Sequence, residues 1–149
     1  MIIMRKKPEI KLKVIKKTDY RFLYNLLNER ESTVNISHKQ TPTYVSHIKF
    51  VKSKPYTNWY IIENGNKKAG SIYLSKHNEI GIFIKKKFHK QNIGNIALSL
   101  LMKKNPRKRY LANVNPKNKR SINFFQKNNF KLIQYTYENN VNQPNQNLR

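Results

Sequence analysis

Two features of this chain could do chemistry. Glu79 is the single carboxylate between Glu63 and Glu138, and a carboxylate shielded by apolar strands can take a proton from a reacting group. Further on, Gly94 ends a turn rich in lysine and polar residues, Lys85-Lys86-Lys87-Phe88-His89-Lys90-Gln91-Asn92-Ile93-Gly94. A glycine where a strand runs into a helix lets backbone N–H groups and the positive helix end converge on one anion. Lys117, Lys119 and Arg120 add a second basic group beyond it. The chemistry on offer is therefore anion binding beside a proton acceptor.

The elements around these residues follow from their spacing. Ile80-Gly81-Ile82-Phe83-Ile84 runs without a polar interruption, as expected of a strand covered on both faces. From Asn92 to Lys104 the period becomes helical, with Ile93, Ala97, Leu100 and Leu101 on one face, widened by Ile96 and Leu98. Tyr110 to Val114 reads as a strand parallel to the first, reached by a crossover. A helix then begins near Asn118 and stops at Asn128-Asn129, and Phe130 to Tyr137 reads as a final strand. Upstream, Ile10, Leu12 and Val14 alternate with lysines, which marks a half-buried strand. Thr18-Asp19 caps a first helix that ends near Arg30. Thr41-Pro42 starts a second, whose buried side is Tyr44, Val45, Ile48 and Val51. Trp59 to Ile62 and Ala69 to Leu74 flank the hairpin turn Glu63-Asn64-Gly65-Asn66, giving an antiparallel meander that continues into the Glu79 strand.

This order is similar to a known family. A Glu79-Ile80-x-Ile82 strand, a glycine turn into a leucine-rich helix, another strand, and Asn118-x-x-Ser121-Ile122-x-Phe124-Phe125-x-Lys127-x-x-Phe130 resemble the GNAT superfamily of acetyl-coenzyme A dependent N-acetyltransferases. The resemblance implies an α+β fold: a mixed, mostly antiparallel twisted sheet flanked by helices, in one domain over residues 1–138. It implies acetyl-coenzyme A as cofactor, wrapped by backbone N–H groups of a turn that runs arginine or glutamine, two residues, glycine, one residue, glycine or alanine. Two registers fit. One uses Gln91 and Gly94 and leaves Ile96 where a small residue belongs. The other, which we favour, makes Gly94 the last glycine, with Asn92 for the first and His89 for the arginine, since asparagine tolerates left-handed φ. Lys90, Gln91, Asn92, Ile93, Gly94 and Asn95 are implicated by the loop. The backbone of Ile82, Phe83 and Ile84 would hold the pantetheine arm, Asn118 would contact it, and Arg120 would meet phosphate.

The same resemblance makes Glu79 the general base, with His77 on the preceding turn as alternative. It also exposes a departure, because Phe125 stands where relatives place a thiolate-protonating tyrosine; coenzyme A thiolate is a fair leaving group, so that loss would slow transfer without abolishing it, and Tyr110, Tyr135 and Tyr137 are the candidate substitutes. Leu26-Leu27-Asn28-Glu29-Arg30, Ile36-Ser37, His47 and Trp59-Tyr60-Ile61-Ile62 resemble the branch that acetylates nucleotide-linked amino sugars. That branch implies Arg30 and His47 on the acceptor. Acetylation of protein N-termini, ribosomal proteins included, is the alternative acceptor chemistry.

Composition bounds the rest. The 149 residues suit one domain, and 31 Lys and Arg against 7 Asp and Glu give a formal charge of +24. Such a charge favours anionic partners and disfavours polyamine acceptors. A basic nucleic-acid-binding protein is the reading from a different class, but no helix-turn-helix, zinc-finger or RNP-like motif accompanies the lysines. The absence of cysteine excludes disulfides, cysteine metal sites and an acyl-cysteine intermediate, and no metal site is expected. No apolar run suggests a signal peptide or membrane span, so the expected setting is the cytoplasm. From Asn139 the Asn/Gln-rich sequence reads as a disordered tail.

Overall fold

A computed structural model describes residues 9–30 and 41–142. Ile36-Ser37 and most of the Asn/Gln-rich C-terminus lie outside the described residues. The elements run β1 (Ile10–Val14), α1 (Tyr20–Glu29, entered through a 3-10 turn at Lys17–Asp19), α2 (Tyr44–Lys52), β2 (Asn58–Asn64), β3 (Lys67–Leu74), β4 (Ile80–Ile84), α3 (Ile93–Lys104) and α4 (Lys119–Lys127). The four strands form one antiparallel sheet in the order β1-β2-β3-β4. Gly65 makes the β2–β3 hairpin possible by taking φ 61.

Period-two alternation assigns the two faces of the sheet to different helices. Leu12, Tyr60, Ile62, Ile72, Leu74 and Ile80 pack with Ile93, Ala97, Leu98 and Leu101 of α3. Ile61, with Trp59 and Phe83 at its margin, packs with Leu23 and Leu26 of α1 and Val51 of α2. Leu98 and Leu101 are almost wholly buried, and each such side chain contributes about 1.5–3 kcal/mol. The middle and end of α3 thus anchor it.

Four expectations need correction. The strand at Tyr110 to Val114 shrinks to one parallel bridge between Glu79 and Leu111. Ile80 N–H donates to the Leu111 carbonyl at 2.7 Å and Leu111 N–H to the Asn78 carbonyl at 2.8 Å; beyond Leu111 the chain pairs no further with β4. Phe130 to Tyr137 forms no strand, and Lys131 to Tyr137 are exposed, because no neighbouring strand at 112–114 exists to pair with. The α2 cap is Thr43, whose Oγ1 accepts from Ser46 N–H at 3.2 Å, while the Pro42 carbonyl accepts from the Tyr24 hydroxyl. The face of α2 is also rotated: His47 and Val51 are buried and Val45 is 64% exposed. A smaller revision concerns β4, where only Ile80 is buried and the next four residues are half-covered.

Candidate active site

The partial pairing of β4 creates the site. In an antiparallel strand, alternate residues turn their N–H and C=O to opposite neighbours. Ile80 points its N–H at Leu111, away from β3. Ile82 and Ile84 share that orientation, so their backbone groups line an edge left open once the chain leaves Leu111. Phe83 belongs to the other set, and its backbone faces Ser71 of β3. Of the three residues expected along a pantetheine arm, Ile82 and Ile84 present backbone polar groups to the gap and Phe83 does not. The Ile84 carbonyl is taken, accepting from His89 Nε2 at 2.8 Å. That bond fixes the proton on Nε2 and leaves Nδ1 as acceptor, where it meets the Arg120 guanidinium. His89 and Arg120 thereby tie the end of β4 to the first turn of α4.

Phe88, 7% exposed, pins the loop after β4 to the core. Lys90 and Asn92 then take φ 64 and 62, the left-handed region that asparagine accepts more readily than most residues. This geometry delivers the chain to α3 with no side-chain cap. Thr43 and Asn118 cap α2 and α4 through their own side chains. The Asn92 side-chain oxygen instead accepts from the Asn95 side-chain amide, and Asn95 accepts from Asn128 at 2.8 Å. The first-turn N–H groups of α3, Gly94 and Asn95 among them, are left facing outward at a positive helix end, an arrangement that fits a phosphate. Gly94 has a packing reason as well: a Cβ there would stand 3.0 Å from the Phe124 ring of α4. Gln91 is exposed, and the Ile93 side chain belongs to the core. Asn118 both accepts from Ser121 N–H at 3.2 Å and donates to Ser121 Oγ at 2.9 Å, so its side chain is occupied as a cap.

Glu79 lies at the other end of β4. Its Oε1 accepts from Ser75 Oγ at 3.2 Å, and its Oε2 accepts from the Asn113 side-chain amide. Ser75 is buried, and its Oγ also accepts from the N–H groups of His77 and Glu79. In a chain with 31 cationic side chains, the ion pairs among the described residues are Lys13–Glu63 and Lys68–Asp19. Glu79 is held by neutral donors, so it can take a proton without breaking an ion pair. His77 is exposed and carries no comparable support.

Glu79, Gly81 and Phe83 alternate onto the sheet face covered by α1 and α2. The Arg30 guanidinium lies over the Phe83 ring, 5.3 Å from its centroid, and no carboxylate pairs with it among the described residues. Burial pulls the Arg30 pKa down, opposed by the Tyr73 and Tyr56 hydroxyls; a guanidinium still stays charged at neutral pH. His47 is 5% exposed between α1 and α2, beside the Tyr24 ring, with Nδ1 unpartnered and its pKa lowered by burial. The structure brings together Arg30 and Glu79 on one face and the loop residues with Arg120 at the end of β4.

An aromatic group completes that face and was not anticipated. Tyr56 and Tyr73 stack at 3.6 Å and 3°, Trp59 meets Tyr56 edge-on at 4.8 Å, and Phe50 abuts both Tyr56 and Trp59. The Ser75 to Asn78 turn by itself would set Tyr73 opposite Ile80; the bond from Ser75 N–H to the Glu79 carbonyl moves the register by one residue, to Gly81. Among the described residues no group of His, Asp or Glu gathers to hold a metal, and no helix is long and apolar enough to cross a membrane.

Known structures share this architecture. A domain from Methanocaldococcus jannaschii DSM 2661 superposes with a TM-score of 0.77 at 24% identity, covering 88% of this chain and 94% of that one. An N-acetyltransferase from Staphylococcus aureus Mu50 gives 0.65 at 19% identity, covering 83% and 84%. RimL, a ribosomal alpha-N-protein acetyltransferase in complex with coenzyme A, gives 0.67 at 18% identity, covering 90% and 86%. No curated protein is similar enough to count as a match. The family model described as acetyltransferase (GNAT) domain matches residues 9–131. With most of the chain inside that match, and a splayed β4 edge leading to an uncapped α3, the chain belongs to the GNAT acetyltransferase family and is an acetyl-coenzyme A dependent N-acetyltransferase.

Proposed function

We propose that the acceptor is the primary amine of an anionic molecule, a nucleotide-linked amino sugar, and that Glu79 takes its ammonium proton. Acetyl-coenzyme A supplies the activated acetyl group. The residues that fit it are the first-turn N–H groups of α3 with Lys90, Gln91, Asn92 and Ile93 leading in, the Ile82 and Ile84 backbone, and Arg120. Asn118 serves this site as the cap that fixes α4. The observation that carries the acceptor assignment is Arg30, a half-buried guanidinium with no carboxylate partner among the described residues, on the same sheet face as Glu79. Burying such a cation is costly, and an anionic ligand offsets that cost. Phe83 and Glu79 are four residues apart on β4, roughly 13 Å. An elongated acceptor with its anionic group at one end and its amine at the other spans that distance. His47 borders the acceptor side from α2, its ring and Nδ1 buried beside Tyr24.

With no cysteine in the chain, the acetyl group passes directly to the amine, and initial-rate plots should intersect. The test is a panel of amines at low ionic strength: UDP-glucosamine, free glucosamine, an N-terminal peptide and spermidine. The nucleotide-linked sugar should be preferred, and added salt should raise its KM more than it lowers kcat. Preference for the peptide or spermidine would overturn the acceptor assignment and leave the acetyltransferase assignment standing.

A further inference from the structure

A thiolate leaving from acetyl-coenzyme A needs a proton, and the tyrosines expected to give it are elsewhere. Phe125 is 7% exposed and has no hydroxyl; its ring packs 5.1 Å from both Phe124 and Phe130. The Tyr110 hydroxyl is consumed at the end of α3, bonded to the Met102 and Asn105 carbonyls and accepting from Arg107 N–H. Tyr135 and Tyr137 are 73% and 90% exposed. On the face shared with Glu79, Tyr20 packs with α1 and α2 and the Tyr24 hydroxyl is given to the Pro42 carbonyl, while Tyr73, with Tyr56 stacked on it, lies against β4.

Tyr73 is the one laid against β4. It sits opposite Gly81 in the β3–β4 register. A Cβ at Gly81 would collide with the Cζ, Cε1 and hydroxyl oxygen of Tyr73, so the missing side chain is what lets the phenol tip rest on the strand backbone. The ring cannot swing away, because Tyr56 stacks on its outer face and Trp59 stands edge-on to it at 6.5 Å. Trp59 is itself fixed by an Nε1 bond to Ser71 Oγ at 2.8 Å. Burial and the neighbouring Tyr73 hydroxyl push the Tyr56 pKa up, so Tyr56 keeps its proton and stands as a neutral ring against Tyr73. The Tyr73 O–H is free to donate toward β4, one residue from the open edge at Ile82 and two from Glu79. The positive field of Arg30 reaches the same hydroxyl.

The geometry points to Tyr73 as the group that protonates the departing thiolate. This assignment rests on the acetyl-transfer reading above. Glu79 first takes one proton from the ammonium nitrogen. As the nitrogen–carbon bond forms and the carbon–sulfur bond breaks, its electron pair goes to sulfur and Tyr73 gives sulfur its O–H proton. The phenolate faces Arg30 and regains a proton from the same nitrogen as the amide forms; Glu79 releases the first proton to water. One proton leaves per turnover, and atoms balance without a further reagent.

Tyr73→Phe preserves the ring, the stack and the Gly81 contact, and removes the proton. The first readout needs no turnover: the ultraviolet thiolate absorbance of bound coenzyme A followed against pH. A hydrogen bond from Tyr73 favours the thiolate, so the absorbance should rise at lower pH in the parent than in Tyr73→Phe. The second is thiol release from acetyl-coenzyme A, with the best amine of the panel and with water alone. It should fall about 100-fold or more in Tyr73→Phe and stay unchanged in Tyr135→Phe. Parental values for both readouts in Tyr73→Phe would overturn the assignment, as would loss of acetyl-coenzyme A binding, which would make the residue a binding group. A parent that releases no thiol with any amine or with water contradicts the acetyl-transfer reading itself.

Discussion

Glu79→Gln should lower kcat by about two to four orders of magnitude at neutral pH, with acetyl-coenzyme A affinity nearly unchanged. Glutamine keeps the shape and an oxygen for Ser75, and the Asn113 amide can turn to offer its own oxygen, so the local bonds survive. What disappears is a carboxylate able to take the ammonium proton. A loss confined to kcat would show that the lost interaction operates in the reaction and not in cofactor binding. The check is a steady-state pH profile alongside a melting curve. Glu79→Gln with the parent's rate and pH profile would remove Glu79 from the mechanism.

Asn92→Val should weaken acetyl-coenzyme A binding by roughly 5- to 150-fold, and Asn92→Gly should leave it close to the parent. Asn92 holds φ 62 as it enters α3. A β-branched residue held there costs about 1–3 kcal/mol, and each 1.4 kcal/mol is tenfold in affinity. The loop would relax, and the N–H groups of Gly94 and Asn95 would lose their shared aim. Glycine accepts the conformation without strain. It does give up the side-chain bond to Asn95, but Asn95 keeps its bond from Asn128. Titration of the two variants separates backbone direction from side-chain contact: equal affinities would place the phosphate site elsewhere. Gly94→Val is a poorer probe, since its Cβ would press on Phe124 and disturb the α3–α4 packing as well as the loop.

Much of the fold was legible because local signals and burial agreed. The alternation in β1, the Asn-Gly hairpin, the apolar run of β4 and the asparagine cap of α4 each have a cause within a few residues. What failed depended on partners distant in sequence. Phe130 to Tyr137 has strand composition, but a strand needs a neighbour, and the chain after Leu111 does not supply one. The α2 cap moved from Thr41 to Thr43 because the Tyr24 hydroxyl claims the Pro42 carbonyl. That shift turns His47 inward and Val45 outward.

The candidate site divides in the same way. Glu79 and the loop before Gly94 stand out in the sequence by scarcity and by pattern. Their supports do not. Ser75 and Asn113 are ordinary residues until the β4–Leu111 bridge brings them to Glu79. The stack of Tyr56 on Tyr73 needs both the register and the empty space at Gly81. Phe83 shows the opposite limit: its position on β4 was read correctly, while the direction of its backbone groups followed only from which residues bond β3.

The central claim is that the uncapped start of α3 and the open β4 edge hold acetyl-coenzyme A, and the thermal midpoint of the whole chain with and without this ligand tests it most directly. At a free concentration about 100 times the dissociation constant, binding adds about 2.7 kcal/mol, which raises the midpoint of a domain of this size by roughly 5–11 °C. The account predicts a saturable rise of that order with acetyl-coenzyme A, retained in Asn92→Gly and shifted to higher ligand concentration in Asn92→Val. A midpoint that stays fixed at millimolar acetyl-coenzyme A, or a rise identical in both variants, would contradict it.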